Sequence, residues 1–156
     1  ERCPEGRTAL LIGGGTGIPP LAELAQQIEG ESIVVAGYRD ETFLTRELSA
    51  AGRLYVATED GSAGTKGTVL DCIRENGLKA DVIYSCGPMP MLRGVKEFAL
   101  SQGIECWISM EERMACGIGA CLGCVCKSVE TDEHLGVKNK RVCKEGPVFR
   151  AEEVEL

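Results

Sequence analysis

Residues 8–20 read TALLIGGGTGIPP. The first five, Thr8 to Ile12, are a short apolar run that GGGTGIPP stops, and an apolar-periodic segment follows from Pro20 to Ile28. This spells strand, glycine turn, helix. Pro19 or Pro20 fits the first helical turn, where a missing N–H costs nothing. The unit then recurs. Ser32 to Tyr38 reads as a buried strand, and Glu41 to Ala51 as a helix entered through Asp40 as N-cap. Arg53 to Thr58 is a third strand, Glu59 to Gly67 a glycine-rich loop, and Thr68 to Glu75 a helix ending near Asn76 and Gly77. Asp81 to Ser85 is a fourth strand running into CGPMP, Met89 to Ser101 a helix closing at Gly103, and Glu105 to Met110 a fifth strand.

Five strands alternating with four helices imply parallel βαβ units, and right-handed crossovers then favour an α/β, doubly wound, five-stranded parallel sheet. Ligands bind such sheets at the carboxyl ends of the strands. Those ends carry GGGTG, GYRDE, TEDGS and CGPMP, so the glycine and polar motifs share one rim. After Met110 cysteine and glycine density rises and helical periodicity stops. Residues 1–110 thus read as a nucleotide-binding domain and 111–156 as a small cluster-binding module, with a hairpin or loop from Thr131 to Lys140.

On the rim, Gly14, Gly15, Thr16, Gly17 and Pro20 form a turn free of bulky side chains at a helix N-terminus, where amides and the helix dipole favour a pyrophosphate. The motif ends G-x-G-x-x-P, short of the ordinary dinucleotide fingerprint, and a purely structural turn remains the alternative. No Gly-Lys-Ser/Thr follows any glycine loop, which excludes a P-loop. In the TEDGS stretch, Glu59 and Asp60, followed by Gly61, supply carboxylates suited to ribose hydroxyls; they would repel a 2′-phosphate and favour NAD over NADP. A solvated acidic turn is the plainer reading. Cys86, Gly87 and Pro88 end the fourth strand with a small thiol beside a glycine, where a flat ring can approach, or else with an ordinary strand-end turn.

The second informative stretch is MACGIGACLGCVC, residues 114–126. Cys116, Cys121 and Cys124 stand at C-x4-C-x2-C, the plant-type spacing for three thiolate ligands of a [2Fe-2S] cluster. Gly117 and Gly119 let amides turn toward the sulfides, and Ala115, Ala120 and Gly123 leave room. Cys143, in RVCKEGP before a Gly146-Pro147 turn, is the better fourth ligand; Cys126 reads as a buried residue starting a strand. A structural zinc site is the competing reading, although only Cys121 and Cys124 form a C-x2-C knuckle. Leu122, between two ligands, either faces a partner or packs inward on Trp107 or Val125.

With 156 residues and 44% hydrophobic content the chain can bury a real core. No apolar run reaches the roughly 20 residues of a membrane span. A net charge of −7 argues against nucleic acid and anionic membranes as partners. Nine cysteines in an untargeted chain point to metal or redox use in the cytoplasm, with Cys3, Cys72 and Cys106 as ordinary thiols. His134 is the single histidine and reads as exposed and inert. The chain begins with Glu1, which suggests a fragment whose N-terminal part is absent.

The order GGGTGIPP, GYRDE, TEDGS, CGPMPML, MACGIGACLGCVC and RVCKEGPVF resembles the electron-transfer subunits of class-B dihydroorotate dehydrogenases, members of the ferredoxin reductase-like group. GGGTGIPP and CGPMPML are shared across the wider group; the cysteine stretch with RVCKEGPVF is more specific. The resemblance implies FAD and a [2Fe-2S] cluster passing electrons between NAD and an FMN-containing catalytic subunit, a hetero-oligomer of de novo pyrimidine biosynthesis. It also implies Cys116, Cys121, Cys124 and Cys143 as ligands; Cys86, from the strand-end reading above, is the candidate catalytic residue. A β-barrel FAD domain expected before the first strand is missing, so hydride transfer would not be completed by this chain alone. Related readings are a subunit of an NAD(P)H:ferredoxin or sulfide dehydrogenase-like oxidoreductase, or a non-catalytic, redox-sensing or zinc-stabilised module.

Overall fold

The structure, a computed structural model, describes residues 3, 5–131 and 136–156. The central strand, β1 (Thr8–Gly14), is parallel to β2 (Glu31–Tyr38) on one side and to β5 (Val82–Cys86) on the other. Beyond β2 lie β3 (Arg53–Thr58) and the two-residue β4 (Thr65–Lys66); beyond β5 lie β6 (Glu105–Ser109) and, antiparallel, β9 (Val148–Arg150). The order β4-β3-β2-β1-β5-β6-β9 means that the chain builds outward from β1 in one direction, then crosses back and builds in the other. The reversal lies between β1 and β5, the topological switch point of a doubly wound sheet.

The continuous apolar run of β1 resolves into two faces by the period-2 alternation of a strand. Leu10 and Ile12 join one core, with Ile33, Val35 and Ile83, under α3 (Val69–Glu75) and α4 (Met89–Gln102). Ala9 and Leu11 join the other, with Val34, Ala36 and Val82, under α1 (Ile18–Gln27) and α2 (Thr45–Ala51). A strand covered on both faces has no polar side, which is why the sequence shows a run there and no alternation. Each fully buried Leu or Ile stabilises by about 1.5–3 kcal/mol. An exposed ion pair such as Arg53–Glu31 adds about 0–1 kcal/mol, so the two cores hold the sheet.

Helix ends follow from local chemistry. A 3-10 turn, Gly15–Gly17, leads into α1, which carries Pro19 in its first turn as expected. Thr68 and Asp71 form a reciprocal capping box at the start of α3, and Gly103, at φ +64°, ends α4. The second helix departs from expectation. It begins at Thr45, not Glu41, and Asp40 does not cap it: Leu44, at φ +55°, precedes the first turn. The Tyr38 hydroxyl donates to the Phe43 carbonyl at 2.6 Å, and their rings meet edge to face, so residues 41–44 fold over Tyr38 instead of coiling.

The glycine-rich loop after β3 contains β4, too short to show as a pattern. Past Met110, β7 (Val125–Lys127) pairs antiparallel with β8 (Asn139–Arg141), which places Cys126 on a strand, buried. This region also contributes β9 to the large sheet, and Cys124, Cys126, Val142, Phe149 and Val154 share one core with Leu92, Val95 and Ile108. Seven strands therefore stand where five parallel ones were expected, the additions being the edge strands β4 and β9. The reading of His134 and the tip of the Thr131–Lys140 segment lie outside the described residues. Among the described residues, no helix is long and apolar enough to cross a membrane.

Candidate functional site

At the carboxyl ends of β1, β2, β3 and β5 a cleft of about 470 Å³ opens beside α3 and α4, within the size range of small-ligand sites. Its shape depends on glycine. A Cβ at Gly14 would lie 2.7 Å from Met91 Sδ and 3.0 Å from Pro88 Cδ, and one at Gly87 would lie 3.0 Å from Gly14 N. The turn after β1 and the turn after β5 are thus interlocked backbone to backbone, which sets the N-terminal ends of α1 and α4 on one rim.

The anticipated nucleotide residues divide on inspection. Gly14, Gly15, Glu59 and Pro88 line the cleft. Thr16 and Pro20 are exposed outside it, and Gly17 is buried beneath the turn. Asp60 is committed to its own loop: its carboxylate accepts the Ser62 N–H at 2.9 Å, a bond that holds it below the usual carboxylate range. Gly61 serves that same turn, at φ +80°. Gly87 and Pro88 line a second hollow with Glu111, Glu112 and Arg113. Cys86 is half-buried near Ser109 and Glu111; burial pushes its thiol up, against the opposing hydrogen bond to Ser109. A neutral thiol there can pack against a flat ring but is a poor nucleophile.

Tyr38, Arg39, Thr68 and Met91 also line the cleft. Sequence reasoning placed GYRDE on the rim without singling out Arg39, whose position directly after a buried strand was the available signal.

Four of the nine cysteines meet in the glycine loop and the arm facing it. The Cys121 N–H points at Cys116 Sγ, the Gly123 N–H at Cys121 Sγ and the Cys143 N–H at Cys124 Sγ, each at 3.4 Å. Gly117 and Gly119 take φ +68° and +81°, the left-handed region that glycine enters without strain, and so let the loop between Cys116 and Cys121 turn tightly. The Cys121 and Ile118 N–H groups draw the Cys116 thiol down to about 6, with a thiol bond from Cys121 adding to the effect. Cys143 is hydrogen-bonded to Cys124, which pushes its thiol up. Backbone-to-sulfur hydrogen bonds thus link Cys121 to Cys116 and Cys143 to Cys124. Among the described residues no three His, Cys, Asp or Glu side chains converge on a single ion position. Leu122 takes φ +59° and is 54% exposed, so it is not part of the core; Met114 and Ile118 are also exposed in the same loop.

Comparison with known proteins bears on both halves. The iron-sulfur cluster binding domain of dihydroorotate dehydrogenase B matches residues 111–155. The dihydroorotate dehydrogenase B (NAD(+)) electron transfer subunit of Bacillus velezensis is 48% identical over 161 residues, 100% of this chain and 60% of that protein. That of Caldanaerobacter subterraneus subsp. tengcongensis is 46% identical over 151 residues, 96% of this chain and 60% of that protein. This chain belongs to the family of dihydroorotate dehydrogenase B electron transfer subunits.

The chain spans 60% of the length of those family members. The family's cluster-binding domain coincides with the segment that holds these thiols. A solved NADH-dependent reduced ferredoxin-NADP oxidoreductase, described in work on flavin-based electron bifurcation, superposes with a TM-score of 0.81 at 29% identity. The match covers 97% of this chain and 55% of that one.

Proposed function

We propose that this chain carries the nicotinamide-nucleotide and cluster portions of a dihydroorotate dehydrogenase B electron transfer subunit. Residues 1–110 would bind NAD and residues 111–156 a [2Fe-2S] cluster. The observation that carries this reading is the set of N–H groups turned onto the sulfurs, those of Cys121, Gly123 and Cys143 donating to Cys116, Cys121 and Cys124, in a loop with the C-x4-C-x2-C spacing of plant-type clusters. Cys116, Cys121, Cys124 and Cys143 would hold the cluster, and the N–H groups of Cys121, Gly123 and Cys143 would stabilise the negative sulfurs. When bound, the cluster supplies one-electron transfer between groups that handle electrons in pairs.

The remaining roles fall to this chain's own groups. Gly14 and Gly15 offer amides to a pyrophosphate at the start of α1, and Glu59 in the cleft accepts hydrogen bonds from a ribose. Cys86, neutral and flanked by Gly87, offers a flat surface to the nicotinamide. The exposed Met114, Ile118 and Leu122 would seat against an FMN-containing catalytic subunit in a hetero-oligomer serving pyrimidine synthesis. FAD would be held mainly by the remaining length present in the relatives, and turnover would need that length. The likeness to the ferredoxin-NADP oxidoreductase favours a second reading, in which the electron acceptor is a ferredoxin. The test is a polypeptide of the relatives' full length, assayed for dihydroorotate-dependent NAD reduction with and without the catalytic subunit. Activity only with the subunit supports the first reading; ferredoxin reduction by NADH without it supports the second.

A further inference from the structure

Arg141 is two residues before Cys143, and its side chain is largely covered. Its Nη1 donates to the Gly119 carbonyl at 3.0 Å, in the middle of the loop that carries Cys116 and Cys121. Its Nε donates to both carboxylate oxygens of Glu145, at 3.1 and 3.0 Å, and Nη2 closes on the same carboxylate. Glu145 in turn accepts the Arg141 backbone N–H at 2.6 Å, while the N–H groups of Lys144 and Glu145 donate to the Arg141 carbonyl at 3.0 and 2.8 Å. Residues 141–145 are thus wound into one turn around Cys143, and a planar guanidinium joins that turn to the opposite loop. The stem of Lys144 lies on the same glycine, 2.9 Å from where a Cβ at Gly119 would stand.

We infer that Arg141 is a positioning residue for the cluster. It clasps the Cys116–Cys121 loop to the Cys143 arm, and with Glu145 it sets the charge beside the thiolates. This rests on the cluster reading given above.

Two consequences separate charge from shape. A positive charge near a cluster favours the reduced, more negative state. Removing Arg141 takes a positive charge from beside the thiolates, and neutralising Glu145 takes a negative one, so the two changes act with opposite sign. The fork geometry is a different matter, since lysine keeps the charge but cannot reach a carboxylate and a carbonyl with one plane.

The experiment uses the chain purified anaerobically, with the midpoint potential followed by reductive titration and iron loss followed in the presence of a chelator. Arg141→Gln is expected to shift the potential to more negative values and Glu145→Gln to more positive ones. Arg141→Lys is expected to keep the parent potential but to lose iron several-fold faster. If Arg141→Gln does not retain a cluster, Glu145→Gln and Arg141→Lys still carry the test. Unchanged potentials in the Gln variants overturn the charge role, and iron retention in Arg141→Lys equal to the parent overturns the clasp. A parent chain that binds no iron and sulfide overturns the cluster reading itself, before any variant is compared.

Discussion

Gly17 lies directly beneath the end of β5: a Cβ at position 17 would stand 2.1 Å from the Cys86 carbonyl oxygen and 2.6 Å from Gly87 N. Two motifs 69 residues apart in sequence are therefore in backbone contact, and the phosphate turn and the CGP turn form one rigid unit. Gly17 itself has φ −78° and ψ −8°, which any residue adopts. Its requirement is for space alone. Gly17→Ala should destabilise the chain by about 1–3 kcal/mol, the range for overpacking a tight site, read as a lowered urea midpoint. An unchanged midpoint would show that the turn can move away at no cost.

Leu122 offers a cleaner test of the partner surface than its exposure alone suggests. At φ +59° a β-branched residue would be strained, but Asp and Asn tolerate this region. Leu122→Asp should therefore leave the loop and the visible spectrum of the cluster intact. It should weaken binding to the proposed catalytic subunit about 10–100-fold, as burying a charge in place of an apolar anchor would. Surface plasmon resonance against that subunit measures it; equal affinity removes Leu122 from the interface.

The thiols differ in reactivity before any metal is bound. Cys116 is drawn down to about 6 by the amides of Cys121 and Ile118, whereas Cys143 is pushed up by its bond to Cys124. The sign is that of a depressed acid: Cys116 is mostly thiolate above about pH 6 and loses that form as pH falls through it. In the metal-free chain, pulsed iodoacetamide labelling with peptide mapping should show Cys116 modified first, with a midpoint near 6, and Cys143 only at alkaline pH. Simultaneous labelling of both would contradict the amide cradle.

Glu59 shares the cleft with Arg39, so nucleotide choice depends on two opposed charges. With Asp60 tied to Ser62, Glu59 alone is left to repel a 2′-phosphate. NADPH should bind about tenfold more weakly than NADH, roughly one like-charge contact of ~1.4 kcal/mol, and Glu59→Gln should narrow the gap. Calorimetric titration with both nucleotides checks this; equal affinities in the parent chain would assign Arg39 the controlling role.

Much of the architecture was legible because parallel strands and their helices leave strong marks. TALLI, RLYVAT and DVIYS each stand between glycine or helix signals, and β3 occupies the residues that the pattern indicated. What stayed hidden was tertiary. The start of α2 is decided by Tyr38 pinning Phe43, which no window around Asp40 reveals. The three-residue β9 has too few residues for alternation, and its place beside β6 depends on Phe149 filling the core. At the site, cysteine spacing pointed to three thiols, because ligands in one loop stand at fixed offsets, while Cys143 reads as the fourth from its place outside that loop. The cleft was read less well: Asp60 and Glu59 look alike in sequence, and only the turn to Ser62 tells them apart.

The central claim is that Cys116, Cys121, Cys124 and Cys143, and not Cys126, hold a binuclear cluster. Iron and acid-labile sulfide analysis of the anaerobically purified chain tests it most directly, on the parent, Cys143→Ala and Cys126→Ala. The account predicts about two iron and two sulfide per parent chain, the same for Cys126→Ala, and loss of both in Cys143→Ala. One zinc and no sulfide in the parent, or loss in Cys126→Ala with retention in Cys143→Ala, would contradict it.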